Sequence, residues 1–297
     1  FKQKTAYEIL SGLVGSEMCI RDSKGYPIFK VIEENLILNK GFNLLPKPSE
    51  CDLFFDLEGV QDYVFPGKLE YLFGIYYEEN GEKIFKPFWA HNKKEEKQSV
   101  INFFAFTKAH FKKYPKAKIY HYASYEIKAL ERLTSLHKVH GVDYDHYLNL
   151  GRFVDLFRVV KQSLCIGADG YGLKAIEPLF REERGNEVAS GQESTVVYEL
   201  WSAERGDTKD HLDSDYLKEI WDYNKDDCVS LITLSDWLRG IQKEENLRYV
   251  FKPSKEREVE LIDAISLLDE LVEGLNAKED KPHAKLLSNL CLSLIHI

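Results

Sequence analysis

The chain has 297 residues, 44% hydrophobic and 13% aromatic, enough apolar mass for one large core or two modest ones. No apolar run reaches the ~18 residues that span a bilayer. Five cysteines, at 19, 51, 165, 228 and 291, show neither CxxC pairing nor regular spacing, which excludes a disulfide frame or a zinc site and points to a reducing, cytoplasmic setting. A net charge of −9 argues against broad attraction to nucleic acid but leaves room for a local basic groove beside an acidic centre.

Phe1 to Ser23 (FKQKTAYEILSGLVGSEMCIRDS) resembles a translated sequencing adapter, and Ser293 to Ile297 (SLIHI) looks similar in kind. Both ends are expected to belong to no fold, as an expression tag would. Met18, the only methionine, lies inside the first of them, so Lys24 to Cys291 is expected to be an internal fragment of a longer protein. Residues 24–50 end in LLPKPSE, where Pro46 and Pro48 favour an extended linker. A domain is expected over 51–240, after the end of a preceding one.

FFDLEG, Phe54 to Gly59, reads as a strand, so Leu53, Phe55 and Leu57 point to one face and Phe54, Asp56 and Glu58 to the other. Two carboxylates about 7 Å apart on one half-buried face repel and lose hydration unless a cation sits between them. The alternative is a solvent-facing acidic pair at a strand end. Gln61 to Lys68 reads as a loop around Pro66-Gly67. Glu70 to Glu79 and Lys83 to Ala90 read as strands joined by an Asn80-Gly81 hairpin turn. Pro87 makes the third strand an edge or a bulge.

Lys94 to Tyr114 has apolar residues at 100, 103, 104 and 106 and is predicted as a helix stopped near Pro115. Its Lys108, Lys112 and Lys113, with Lys116 and Lys118, form a basic stretch that reads as a solvated face. Ala117 to Ala123 is a buried strand; its His121 reads as buried structure. Ser124 can cap a helix over Tyr125 to His137. Arg152 to Phe157 is a strand, Tyr171 to Phe180 a short helix broken at Pro178, and Arg181 to Gly206 a polar, irregular insertion. Asp215 to Arg239 is a long helix that Gly240 stops. Residues 241–292 are charged and helical in period. Three antiparallel strands followed by helix-linked strands give a mixed α/β sheet, antiparallel then parallel, flanked by helices.

Helical spacing selects among the remaining acids. Ile220, Asp227, Leu231, Leu234 and Leu238 share one stripe, so Asp227 faces the protein, while Asp226 lies about 100° round with Asp222 and Ser230 on a face expected to be solvated. Tyr223, one turn before Asp227, meets it on the same side, either as part of a site or as a bond that ties down the helix. Glu126 shares a stripe with Leu130 and Leu133 in the first turn of its helix, where it is either an inward ligand or a capping glutamate. Asp56, Glu58, Glu126 and Asp227 converging would suit two Mg²⁺ or Mn²⁺ ions held by oxygen, and such a pair cleaves phosphodiesters, with Tyr223 placed to orient the attacking water.

The order Asp-Leu-Glu 56–58, Glu126 and Tyr223 to Asp227 in YNKDD resembles the DEDD exonucleases of the RNase H-like superfamily, tyrosine subclass. Over Leu45 to Leu238, LPKPSECDLFFDLEG, EYLFGIYYE, YHYASYEIKALERL, FVDLFRVVKQSL, YGLKAIEPLF and YNKDDCVSLITLSDWL are similar to the RecB-like putative nuclease family. The resemblance implies an RNase H-like fold, a 3′–5′ exonuclease on single-stranded DNA ends, and a helicase domain beyond residues 241–292. It departs from most DEDD enzymes in having Glu126 for Asp, and Gly59 where a Thr often follows D-x-E. Asp155 reads as a strand-end acid or an outer metal ligand. The rival readings are an RNase H-like module that binds nucleic acid without cutting it, and a RecB-type D…ExK nuclease, whose one candidate cluster, Glu95-Glu96-Lys97, falls in a predicted helix. No GxxxxGK[ST], HExxH or GxSxG occurs.

Overall fold

A computed structural model describes residues 29–32, 40–62, 67–181, 191–204 and 208–245. The expected adapter-like ends and most of the stretch 241–292 lie outside the described residues. Strand β1 (Phe29–Val31) pairs antiparallel with β7 (Leu164–Ile166) in a small separate sheet. The main sheet has five strands: β2 (Leu53–Asp62), β3 (Gly67–Glu79), β4 (Glu82–Trp89), β5 (Ile119–His121) and β6 (Phe153–Asp155), in the order β4-β3-β2-β5-β6. The first three are antiparallel, and β5 and β6 are parallel to β2, as the mixed order predicts. Pro87 lies on β4, at the sheet's end, where a missing N–H interrupts no ladder on the open side.

Among the described residues there are also seven α-helices, α1 (Lys93–Lys113), α2 (Tyr125–His137), α3 (Gly141–Asn149), α4 (Leu156–Ser163), α5 (Leu173–Ile176), α6 (Gly191–Ala203) and α7 (Asp215–Glu244), and two 3-10 helices, Gly41–Leu44 and Glu177–Leu179. Strand alternation divides the core. Leu53, Phe55 and Leu57 pack with Phe103, Phe104, Leu130 and Leu133 of α1 and α2 on one face. Phe54, Tyr76 and Tyr120 pack with Leu231, Leu234 and Leu238 of α7 on the other. Asp56 and Glu58 share the face of Phe54, so β2 presents them to α7. Phe42 and Leu45, in the stretch expected to link domains, are also buried in this second core, and Gln242 Nε2 donates to Phe42 O at 3.2 Å.

The hairpin turn is built as its residues require: Asn80 has φ 54° and Gly81 φ 80°. A Cβ at Gly81 would touch nothing within 4 Å, so the cost of a side chain there is purely backbone. Gly81→Ala is expected to lower stability by about 1 kcal/mol, measured by denaturant unfolding. An unchanged midpoint would mean that the turn is not held in this form.

Several elements differ from the sequence reading. The strand expected over Arg152 to Phe157 is only Phe153–Asp155, because the Asp155 carboxylate caps α4, accepting from Arg158 N at 3.3 Å, and also accepts from Ala123 N at 3.0 Å. Helix α3 was not expected. Ser124 precedes α2 without a side-chain cap bond. Gly240 does not stop α7, which runs four residues further; burial of Ile241 and Gln242 offsets the ~1 kcal/mol that a mid-helix glycine costs. The stretch expected to be an irregular insertion holds α6. Its Tyr198 stacks on Tyr71 with centroids 3.9 Å apart, and its Trp201 is buried beside Leu217 and Ile220. The expected loop after β2 is shorter in its described parts, since β2 reaches Asp62 and β3 starts at Gly67. Glu95, Glu96 and Lys97 lie in α1, where Glu96 is fully buried and accepts from Glu70 N and His137 Nε2, a brace between elements.

Candidate metal centre

Strand β2 carries Asp56 and Glu58 past the middle of α7, and Asp227 meets them there. Each of these three residues offers a carboxylate oxygen, and the three oxygens lie within 4.8 Å of one another. Asp226 takes no part, but neither is it on a solvated face as expected. It pairs with Arg181, and its neighbour Ser230 is fully buried, donating to Glu177 Oε1 at 2.5 Å. The segment around Pro178 covers that side of α7.

The three acids are each held by a different element. Asn224, on the same stripe of α7 as Asp227, donates its Nδ2 to Asp56 Oδ2 at 2.6 Å. It reaches Asp56 through a hollow in β3: Gly74 is the register partner of Asp56, and a Cβ on it would fall 1.7 Å from Asn224 Oδ1. Glu58 Oε2 accepts from Ser194 Oγ of α6 at 3.0 Å, and Tyr71 OH lies 2.6 Å from the same Oγ. Asp227 Oδ1 accepts from Lys174 Nζ of α5 at 2.5 Å. The pairing of β2 with β3 slips by one residue between Glu58 and Gly59, a bulge that re-aims the strand beside the acids.

Gly59 has a packing reason. A Cβ there would stand 1.9 Å from Glu70 Oε2 and 2.8 Å from Tyr125 OH. The buried Glu70 carboxylate is fixed by Tyr125 OH at 2.7 Å and Arg132 Nη2 at 2.6 Å, so a threonine at 59 would have to displace that group.

Glu126 stands apart from the trio. It is buried in the first turn of α2, with Oε2 3.7 Å from His121 Nδ1, and neither atom has a hydrogen-bond partner among the described residues. Its charge still raises the proton affinity of Asp56. Asp155 serves as the cap of α4 and is not in the group of three.

Electrostatics follow from this crowding. Burial, then the charges of Asp227, Glu58 and Glu126, push Asp56 well above the usual carboxylate range. Burial and Asp227 raise Glu58 to about 8. Burial raises Glu126 as well, opposed by His121. Tyr223 is 3% exposed; burial and the Asp227, Glu58 and Asp56 carboxylates push its phenol up, so it is a neutral hydroxyl and not a phenolate. All-oxygen donors that repel each other and lie within one ion's reach suit a hard divalent cation.

Three partners were not singled out from the sequence: Lys174, Asn224 and Ser194. Asn224 had a signal, since it is three residues before Asp227 on the inward stripe. Lys174 is one of 40 basic residues and Ser194 lies in a polar stretch, and no spacing marks either.

Residues 53–239 match the RNase_H_2 family model of the RNase_H superfamily. No curated protein and no solved structure matches the chain. The match covers more than half of the residues and spans the five-stranded mixed sheet, the acidic trio and most of α7; the chain belongs to the RNase H superfamily, a group of nuclease and nucleic-acid-binding domains.

Proposed function

We propose that this domain is a metal-dependent phosphodiesterase, a 3′–5′ exonuclease of the DEDD tyrosine type that acts on single-stranded DNA ends. In this reading Asp56, Glu58, Glu126 and Asp227 hold two Mg²⁺ or Mn²⁺ ions, and Tyr223 orients the attacking water. The observation that carries it is the convergence of Asp56, Glu58 and Asp227 within 4.8 Å beside a neutral, buried tyrosine. Bound divalent ions activate a water and stabilise the leaving oxygen. The protein's own part is to hold the acids: Asn224 orients Asp56, Ser194 orients Glu58, and Tyr223 offers a hydroxyl next to Asp227. The strand polarity, the choice of DNA, the RecB-like affiliation and a helicase domain in the complete protein rest on the sequence resemblance. No helix among the described residues is long and apolar enough to cross a membrane.

A second reading, a domain that binds nucleic acid without cutting it, draws on Glu126, whose Oε2 lies 3.7 Å from His121 Nδ1 and which is not in the group of three. The deciding assay is release of nucleotides from a labelled single strand with Mg²⁺ or Mn²⁺ and then with chelator. Metal-dependent release supports the enzyme; binding without release supports the module.

Ion binding is measurable without turnover. A ligand bound only by the native state stabilises it, and at about 100-fold above Kd the melting temperature should rise by about 5–10 °C. Glu58 keeps its proton up to about pH 8 in the folded state but only to the ordinary carboxylate range when unfolded. Without ions, this raised value makes stability fall as pH rises from the unfolded pKa toward about 8. Ions compete with that proton, so their stabilisation should be larger at pH 8 than at pH 6. Equal shifts at both values, or none, would count against Glu58 as a ligand.

A further inference from the structure

The acidic trio has a cation of its own. Lys174 belongs to α5, entered through Gly170, with φ 114°, and Gly172. Its Nζ is 2.5 Å from Asp227 Oδ1 and 4.5 Å from the centroid of the Tyr223 ring, so the ammonium is held between a carboxylate and an aromatic face. Its field reaches Asp56 and Glu58 as well. The side chain is 34% exposed, and a four-carbon stem on a short helix can swing toward solvent. Lys68, whose charge also feels Glu58, pairs with the buried Glu70, as does Arg132.

One ammonium meets three carboxylates in mutual reach. An ammonium in contact with Asp227 also repels any divalent ion that approaches the same carboxylate. We propose that Lys174 is a tethered counter-ion which holds one cation position at Asp227 and has to be displaced before the site takes its full complement of divalent ions. The inference rests on the metal reading above and adds to it that the ions bind unequally. One is taken up freely on the Asp56 and Glu58 side; the other competes with Lys174.

The test is a Mn²⁺ titration of the full chain, with free Mn²⁺ followed by electron paramagnetic resonance and folding by circular dichroism. Wild type should bind one Mn²⁺ tightly and a second more weakly. Lys174→Met keeps the stem and removes the charge, and should tighten the second site by about tenfold or more, the worth of a charge-assisted bond. Lys174→Arg should stay like wild type. Should Lys174→Met fail to fold, Lys174→Gln is read in the same way. Mn²⁺ uptake that is unchanged or weaker in the neutral variants overturns the counter-ion and leaves the metal site standing. No uptake by wild type or variant overturns both.

Discussion

Asp56→Asn is expected to lower nucleotide release by about 1,000-fold or more, because loss of a ligand charge removes several kcal/mol of transition-state stabilisation and each ~1.4 kcal/mol is a factor of ten. The substitution changes little else. An asparagine at 56 can still accept from Asn224 Nδ2 through its own oxygen, so the bond that ties β2 to α7 survives. Nucleic-acid binding carried by other residues should change little, and the divalent-ion rise in melting temperature should shrink. Asp226→Asn is the companion variant. It removes the pair with Arg181 and is expected to cost some stability, but it leaves Asp56, Glu58 and Asp227 as they are, so turnover should stay within a few-fold of wild type. Equal damage from Asp226→Asn and Asp227→Asn would sink the assignment of Asp227 as the inward acid. Full activity in Asp56→Asn would sink the metal mechanism.

Tyr223→Phe is expected to reduce turnover by roughly 10- to 100-fold, the low end of what a positioned proton-handling group contributes. The substitution removes one oxygen and keeps the ring, which stays buried and still carries Lys174 over its face. Burial and the carboxylates around the phenol disfavour its ionised form, so in the proposed mechanism the hydroxyl would orient a water and not serve as a base. The pH profile of the residual activity should therefore keep the shape of wild type, with ion affinity unchanged. A loss of ion binding in Tyr223→Phe would instead make the hydroxyl a structural prop of Asp227. Unaltered turnover would remove it from the mechanism.

What could be read from the chain by itself was whatever repeats within a few residues. Period-two alternation in FFDLEG put Asp56 and Glu58 on one face with Phe54, and the structure has them there, opposite Leu53, Phe55 and Leu57. Asn80-Gly81 announced its turn because few other pairs adopt two positive φ angles. The i, i+4 and i+7 stripe from Ile220 to Leu238 chose Asp227 over Asp226, since burial of a helix face follows from its own spacing. Contacts between distant elements carry no such signal. Helix α6 is stabilised by Tyr198 on Tyr71 and Trp201 in a third apolar cluster, and the polar residues on either side of Val196 to Trp201 concealed both. Gly240 looked like a stop until the burial of Ile241 carried α7 beyond it. Asn224 reaches Asp56 because Gly74, 150 residues earlier in the chain, leaves a hollow in the neighbouring strand. Glu126 faces inward as its stripe requires, yet the choice between His121 and the trio belongs to the end of the sheet, where β5 and α2 meet. Local periodicity determines which way a side chain points; what it meets depends on how the sheet and helices close over it, and that placed Lys174 against Asp227.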